Sequence, residues 1–197
     1  MNTLIFRWII LGVLLVAFGI SGFHRKRARV EGGTIKRQEE GWGVLLVRMG
    51  AALPLLVVIL LNIFWPDSLQ WSKFNVPLWL RILGLVLSVM CLPLLWWVFR
   101  SIGKNISETV LIKDEHELVT HGPYTWVRHP LYGSALLLLI SISLIFGDWI
   151  IVGYSIAGVL AFRLLVIPTE EKQLLDAFGE DYECYQSRTG ALLPWIR

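Results

Sequence analysis

The sequence predicts an all-α integral membrane protein with about five transmembrane helices, which form one membrane domain over residues 1–197. Hydrophobic residues make up 55% of the 197 residues, compared with roughly 45–50% in soluble domains. The mean hydropathy is positive, and the chain contains ten Trp. Several apolar runs approach the roughly 20 residues that a helix needs to cross a bilayer core of about 30 Å.

Five apolar runs are the predicted spans. They cover residues 4–22, 43–64, 78–99, 131–146 and 149–167. The first resembles a signal peptide in length, but its positive flank follows the apolar core and no small-residue cleavage site is evident, so we interpret it as a retained helix. Pro54 and Pro93 fall inside the second and third runs, where each removes a backbone donor and predicts a kink.

Charge placement predicts the orientation of these spans. The basic cluster HRKRAR at residues 24–29 directly follows the first span, which favours a juxtamembrane anchor over a nucleic-acid-binding arm. An excess of Lys and Arg marks the cytoplasmic side, so we expect the N-terminus outside and the C-terminus in the cytoplasm. The loop 64–77 then lies outside, with Trp65, Trp71 and Trp79 at the interface.

The fourth and fifth spans are joined only by Gly147 and Asp148, which predicts a tight antiparallel helical hairpin. The hairpin would bring the stretch HGPYTWVRHPLYG, residues 121–133, close to the segment that follows residue 167. Residues 170–186 show helical periodicity with one apolar face, which predicts an amphipathic tail helix on the cytoplasmic side.

Three polar groups converge by this topology: HELVTHGPY at 116–124, RHPLY at 128–132, and the paired acids Glu170 and Glu171. Separately, each has a simple structural explanation, such as a phosphate anchor or a helix start. Together they place acids, imidazoles, a guanidinium and phenols at one point on the membrane surface, which predicts a functional site.

Other site chemistries fit the sequence less well. His116, His121 and His129 offer imidazoles for zinc, but their spacing matches none of the compact zinc patterns, so no metal is predicted. Cys184 has no evident base beside it, and Cys91 lies in an apolar run, so both are predicted to be free thiols. Neither a Rossmann fingerprint nor a phosphate-binding loop occurs.

The C-terminal motifs resemble a known family. H-x-L-V, G-P-Y, R-H-P-x-Y, E-E and F-G-E-x-Y-x-x-Y follow one another over about residues 103–194. As a set they resemble the isoprenylcysteine carboxyl methyltransferase family, which is also similar to membrane phospholipid methyltransferases. The resemblance implies an S-adenosylmethionine-dependent membrane methyltransferase whose cytosolic cofactor pocket is formed by the C-terminal half, residues 101–197. Its acceptor would be hydrophobic or membrane-embedded: an isoprenylcysteine-like carboxylate, a lipid or a small thiol.

The resemblance also implies site residues. The implied cofactor contacts are His116, Glu117, Leu118, Val119, Tyr124, His129, Pro130, Leu131, Tyr132 and Glu170. The residue types suit the ligand, since a carboxylate can pair with its amino group and apolar side chains can cover its adenine.

One position departs from the family pattern. Where the family places an Arg four residues before the cofactor-binding Glu, this chain has Val166. Arg163 lies about one helical turn earlier on a similar face and could replace it, or it could extend to the membrane interface. The catalytic candidates are therefore Arg128, Arg163 and Glu171.

Two alternative functions belong to other classes. An NADPH-dependent membrane reductase of the sterol reductase type shares an R-H-P-like element and a Tyr-rich tail, although the paired acids favour the methyltransferase. A non-enzymatic lipid-binding membrane protein would use the same residues only to anchor headgroups. The compact chain favours a prokaryotic cytoplasmic membrane, with membrane lipids as partners and no nucleic acid.

Overall fold

A computed structural model describes residues 3–32, 42–105 and 118–194 of the chain. Apart from two isolated bridges, all regular secondary structure in these ranges is helical. The helices are α1 (Thr3–Gly32), α2 (Trp42–Phe64), α3 (Leu78–Ile102), α4 (Pro130–Phe146), α5 (Trp149–Ala161), α6 (Ile167–Phe178) and α7 (Glu180–Arg188). The predicted all-α membrane fold is confirmed.

Each predicted span lies in a helix, but the helices differ in how far they could reach across a membrane. Leu4–Val30, Leu78–Asn105 and Trp149–Phe178 are each long and apolar enough to cross. Ala52–Phe64 and Pro66–Ser72 form a pair bent by 115°, which makes a fourth candidate if the pair counts as one span. α4 is apolar but has only 17 residues. The sequence predicted five spans, whereas the described residues give three to four candidate spans.

Helix α1 continues well beyond the predicted end of the first span, through the basic cluster to Gly32. His24 and Ala28 are both buried and lie one turn apart on the same face. The His24 ring packs against Trp96 and Phe99 of α3, with ring centroids 4.8 Å and 5.8 Å away. The helix continues because this face still has a partner after the apolar run has ended.

The fifth span also differs from the prediction, because it does not stop before the tail. α5 passes into a π-helical turn, Phe162–Val166, and then directly into α6. Pro168 lacks the backbone N–H that a regular helix would donate, and a π turn beside it changes the local hydrogen-bond pattern. The Thr169 hydroxyl donates to the Leu165 carbonyl at 2.7 Å. The predicted amphipathic tail is therefore two helices, α6 and α7, separated at Gly179, where φ is 51°.

The predicted hairpin between α4 and α5 is confirmed. Gly147 ends α4 in the left-handed region with φ 59°, and a Cβ there would lie 2.5 Å from the Phe74 carbonyl oxygen, so glycine is required. Asp148 caps α5 by accepting a hydrogen bond from the Ile150 N–H at 2.9 Å. The turn aligns the first turn of α4 with the end of α5, which positions the candidate site.

Two apolar clusters form the core of the bundle. The first joins α1, α2, α4 and α5 through Phe6, Ile10, Val13, Ile59, Ile63, Ile142, Ile145, Phe146 and Ile151. The second includes Cys91, Leu95 and Phe99 of α3 with Ala17 and Ala28 of α1. Cys91 and Cys184 are both free thiols, as predicted.

Candidate functional site

The segment before α4 is held by the chain that follows α7. The backbone N–H of Arg128 donates to the Gly190 carbonyl at 2.9 Å, and that of His129 donates to the Ala191 carbonyl at 3.0 Å. The Gly190 N–H in turn donates to the Trp126 carbonyl at 3.2 Å. These bonds satisfy backbone groups that a helix start leaves unpaired, and they fix where the Arg128 and His129 side chains begin.

Arg128 connects three parts of the C-terminal half. Its Nε donates to Glu171 Oε1 of α6 at 2.7 Å. Its Nη1 donates to the carbonyls of Gln186, at 3.2 Å, and Thr189. The Gln186 side chain completes the connection by donating to Glu171 Oε2 at 3.0 Å. Because the Arg128 side chain is only 5% exposed, this ion pair holds α6 and α7 against the start of α4.

His129 lies between the two acids. Its Nδ1 is 3.4 Å from Glu170 Oε2, and its Nε2 is 3.3 Å from Glu171 Oε1. Burial by itself lowers the pKa of His129, but hydrogen bonds and charge from Glu170 and Glu171 outweigh burial and raise the pKa above 6.5. Glu170 and Glu171 therefore make His129 easier to protonate than a free imidazole.

Aromatic rings form one wall of the site. The Tyr132 hydroxyl donates to Glu170 Oε1. The Tyr132 ring stacks on the His129 ring, with centroids 5.6 Å apart, and on the Phe162 ring, with centroids 4.5 Å apart. Two stacked rings beside a carboxylate present both a π-face and a negative charge, which suits a cationic ligand group.

Tyr124 supports the site from the 3₁₀ turn Gly122–Thr125. It is buried, and its carbonyl accepts a hydrogen bond from the Tyr185 hydroxyl of α7 at 2.8 Å. Burial raises the pKa of the Tyr124 phenol, so it remains neutral at physiological pH. Tyr124 therefore contributes packing and hydrogen bonding, not charge.

The structure brings together five of the predicted residues, as we expected from the α4–α5 hairpin: Arg128, His129, Tyr132, Glu170 and Glu171. Of the other residues implied by the resemblance, Pro130 begins α4 and is buried, and Leu131 packs against the second apolar cluster. Leu118 and Val119 are half-buried in an irregular segment.

Four predicted residues remain, of which the structure describes Arg163 and His121. Arg163 is exposed on the π turn, directly after Phe162. His121 is exposed, whereas His116 and Glu117 lie outside the described residues. No group of three potential metal ligands occurs within residues 3–32, 42–105 and 118–194.

Two residues of the site were not singled out from the sequence. Gln186 follows Tyr185 in the C-terminal motif and lies one turn after the buried Tyr182, so helical periodicity could have indicated that it faces inward. Phe162 lies eight residues before Glu170, about two turns earlier on the same helical run, but the π turn shifts the register that such counting assumes.

The fold and the site define an integral membrane protein whose polar cluster is held at one end of a helical hairpin. The family model described as "Isoprenylcysteine carboxyl methyltransferase (ICMT) family" matches residues 82–176, which include all five clustered residues. This match confirms the resemblance that the C-terminal motifs indicated.

Curated relatives agree with the family match. Human protein-S-isoprenylcysteine O-methyltransferase is 33% identical over 141 residues, which are 69% of this chain and 46% of the relative. The protein of the same name from Mus musculus is 32% identical over 144 residues, 69% of this chain and 47% of the relative. That from Tribolium castaneum is 31% identical over 121 residues, 60% and 43% of the two chains. The chain therefore spans less than half the length of these relatives.

A solved structure shares the fold. The eukaryotic intramembrane Ras methyltransferase ICMT superposes with a TM-score of 0.54 and 22% identity, covering 95% of this chain and 68% of the other.

Proposed function

We propose that this chain is an S-adenosylmethionine-dependent methyltransferase that acts on a hydrophobic acceptor in the membrane, with an isoprenylcysteine-like carboxylate as the leading acceptor class. The observation that supports this proposal most strongly is the meeting of Arg128 and His129 with Glu170 and Glu171 across the α4–α5 hairpin. The names of the matched relatives support the acceptor class.

The chemistry of the side chains fits the cofactor. Among the described residues, Glu171 contacts Arg128, His129 and Gln186, whereas Glu170 contacts Tyr132 and His129, and the Glu170 side chain is 21% exposed. A carboxylate has about four lone-pair sites, so Glu170 retains capacity for the ligand's ammonium group. His129 and Tyr132 would hold the same end of the cofactor.

The other implied contacts would cover the apolar parts of the cofactor. Five of these residues are buried or half-buried and precede or follow Arg128 and His129 in the sequence: Leu118, Val119, Tyr124, Pro130 and Leu131. Buried apolar and aromatic side chains commonly cover an adenine. When bound, the cofactor supplies a methyl group on a sulfonium, which already carries a good leaving group.

The residues of the chain would then mainly orient the reactants and exclude water. Arg128 and Glu171 hold α6 against the start of α4 and so fix the position of Glu170. The stacked rings of Tyr132 and Phe162 offer a π-face to positive charge. A carboxylate acceptor is already a nucleophile at neutral pH, so no general base is required. Arg163, exposed beside this wall, would attract the acceptor carboxylate in place of the uncharged Val166.

Cofactor binding by the purified full-length protein tests the proposal. Calorimetry should detect S-adenosylmethionine binding to wild type, with a loss of about tenfold or more in Glu170→Ala and His129→Ala, because each removes a charge-assisted contact. Glu183→Ala, an exposed acid on α7, is the matched control and should bind normally. No heat with wild type at high ligand concentration would overturn the proposal, and preferential binding of NADPH would favour the reductase.

The acceptor class needs a separate measurement. Membrane extracts incubated with the protein and tritiated S-adenosylmethionine should transfer label into base-labile methyl esters if the acceptor is a carboxylate. Label confined to phospholipid or to volatile thioether would exclude the carboxylate, and Arg163→Gln should then have no effect on transfer.

The proposed membrane orientation is also testable. We propose a cytoplasmic membrane of a prokaryote, with the N-terminus outside and the C-terminus inside. Cys184 is exposed and Cys91 is buried, so an impermeant maleimide should label Cys184 in inside-out vesicles only. Labelling of Cys184 in intact cells would show that the C-terminus lies outside and that the proposed orientation is wrong.

A further inference from the structure

A second polar feature lies at the end of the bundle opposite the candidate site. A cavity of about 490 Å³, here called the distal pocket, is lined by residues from the first turn of α1, the end of α2, the segment 66–75, the start of α3 and the end of α4. Its polar lining consists of Arg7, Asn62, Gln70, Lys73, Asn75 and Arg81. The candidate site adjoins the first turn of α4, so the 17 residues of that helix, about 25 Å at 1.5 Å per residue, separate the two.

The charges of the distal pocket are unbalanced. Arg7, Lys73 and Arg81 contribute three cations, and no carboxylate occurs among the described lining residues. The acid that pairs with Lys73 is Asp148, which is not part of the lining, is completely buried and is 3.4 Å from Lys73 Nζ. A second acid, the exposed Asp67, accepts a hydrogen bond from Gln70 of the lining at 3.3 Å. Two acids against three cations leave positive charge in excess at the cavity.

Lys73 is held in place by a buried hydrogen-bond network. Asn62 Nδ2 donates to Asp148 Oδ2 at 3.0 Å, and the Ser72 hydroxyl donates to the same oxygen at 3.1 Å. Lys73 Nζ donates to Asn62 Oδ1 and lies 5.6 Å above the Phe146 ring. The cation is therefore preorganised, which reduces the entropy that a ligand would have to remove on binding.

The three cations also affect one another. Burial lowers the pKa of Lys73; Asp148 opposes this effect, whereas the charges of Arg7 and Arg81 lower the pKa further. The Arg81 side chain is oriented by a hydrogen bond, because its Nε donates to the Val76 backbone carbonyl at 3.2 Å. An anion between these side chains would relieve the mutual repulsion.

The surroundings of the distal pocket indicate the membrane interface. Trp65, Trp71, Trp79 and Trp149 are all at least 60% exposed around this end of the bundle. Exposed Trp side chains at the ends of membrane helices are typical of the headgroup level, where the apolar ring and the indole N–H have different neighbours.

We propose that the distal pocket binds a phosphate ester, supplied on this membrane face by the headgroup of an anionic glycerophospholipid. Arg7 and Arg81 are the principal phosphate ligands, because guanidinium groups bind phosphate oxygens in a bidentate fashion. Lys73 adds a fixed point charge, and Phe6 and Phe146 face the glycerol and the first acyl carbons. The cavity volume lies within the roughly 300–1,000 Å³ of small-molecule sites.

Lipid binding by the full-length protein tests this site. Protein purified in detergent is titrated with short-chain phosphatidylglycerol or phosphatidylcholine, and binding is followed by native mass spectrometry. Wild type should prefer phosphatidylglycerol. Arg7→Gln and Arg81→Gln should each weaken its binding about fivefold, and the double variant about 25-fold, since one cation near a membrane surface is worth about that factor. Arg100→Gln, an exposed cation at the other end of α3, is the matched control and should bind like wild type.

A second arm distinguishes the source of the phosphate. Glycerol 3-phosphate and inorganic phosphate are added as competitors at the lipid concentration that half-saturates wild type. If these competitors displace phosphatidylglycerol only weakly, the result supports the lipid headgroup. If they displace it at a concentration equal to that of the lipid, the assignment is overturned in favour of a soluble phosphate. Equal binding of the two lipids by wild type, or undiminished phosphatidylglycerol binding by a double variant that elutes as wild type does, overturns the site. If the double variant does not fold, the unfolding temperature of wild type is compared in the two lipids. A larger rise in phosphatidylglycerol supports the site, and equal rises overturn it.

Discussion

The two ends of the α4–α5 hairpin each contain a carboxylate that is held in a similar way. Glu171 accepts hydrogen bonds from Arg128 and from the side-chain amide of Gln186. Asp148 pairs with Lys73 and accepts a hydrogen bond from the side-chain amide of Asn62. In both cases the cation and the amide come from segments distant in the sequence, so each acid connects helices that local structure would leave separate.

The two ends differ in the charge that remains after this pairing. At the candidate site a second acid, Glu170, lies beside the paired Glu171 and is partly exposed. At the distal pocket the remaining charge is positive, from Arg7 and Arg81. A buried ion pair by itself indicates a structural connection, whereas the unmatched charge beside it indicates which ligand charge the site prefers. The comparison therefore predicts a cationic ligand group at one end and an anionic ligand group at the other.

The largest expected effect is the loss of Asp148. Asp148→Ala removes the cap of α5 and leaves the half-buried Lys73 without its counter-charge, so we expect the free energy of unfolding to fall by about 3 kcal/mol, the lower end for a broken buried pair. Thermal unfolding in detergent measures this loss. Asp67→Ala, which removes an exposed acid of the 3₁₀ turn Pro66–Ser72, should unfold like wild type. A small effect of Asp148→Ala would mean that this end does not depend on its acid.

Removing Arg128 tests the equivalent pair at the candidate site. Arg128→Ala removes the side-chain bonds to the Gln186 and Thr189 carbonyls and leaves Glu171 without its guanidinium partner, so the segment after α7 keeps only its backbone bonds and should be cleaved faster near residue 190. S-adenosylmethionine binding should weaken about tenfold or more, because a preorganised contact is lost. Arg188→Ala, on the exposed end of α7, should change neither measurement. If Arg128→Ala bound S-adenosylmethionine normally but was cleaved rapidly, the segment after α7 would not contribute to the cofactor site.

The adjacent acids should respond differently to the same substitution. Glu171→Gln should lower the free energy of unfolding by about 1–3 kcal/mol, because its partners lose a charged acceptor. Glu170→Gln should weaken S-adenosylmethionine binding about tenfold, as expected for a charge-assisted bond to the ligand, while lowering the unfolding temperature less than Glu171→Gln does. If the two variants behaved alike, the distinction between a structural acid and a ligand-binding acid would be wrong.

Much of this arrangement could be predicted from the sequence. The apolar runs predicted where α1 to α5 lie. The two-residue connection at Gly147 and Asp148 was sufficient to predict that the RHP segment meets the paired acids. Hydrophobic periodicity and short loops are local properties, so they can be identified without knowing the fold.

The remaining features depended on long-range contacts that no local pattern shows. α1 continues past its apolar run because His24 packs on Trp96, and the fifth span continues because a π turn accommodates Pro168. Lys73 and Asn62 were not singled out at all, since neither forms a motif and their importance arises only when Asp148 lies between them. Buried polar networks of this kind join residues by geometry, and their spacing along the chain is arbitrary.

The smallest expected effect concerns pH and again separates the two acids at the candidate site from Asp148. The folded pKa of His129 is raised by Glu170 and Glu171, so its contacts stabilise the fold fully below the unfolded value near 6.5 and lose that contribution as pH rises through the raised folded value. Unfolding temperatures between pH 5 and pH 9 should decline over this range in wild type, and the decline should be smaller in His129→Gln. Because His129 bridges both acids, Glu170→Gln and Glu171→Gln should each remove part of the decline, whereas Asp148→Asn should leave the part that His129→Gln removes unchanged. An equal slope in wild type and His129→Gln would show that the imidazolium does not bridge the two acids in solution.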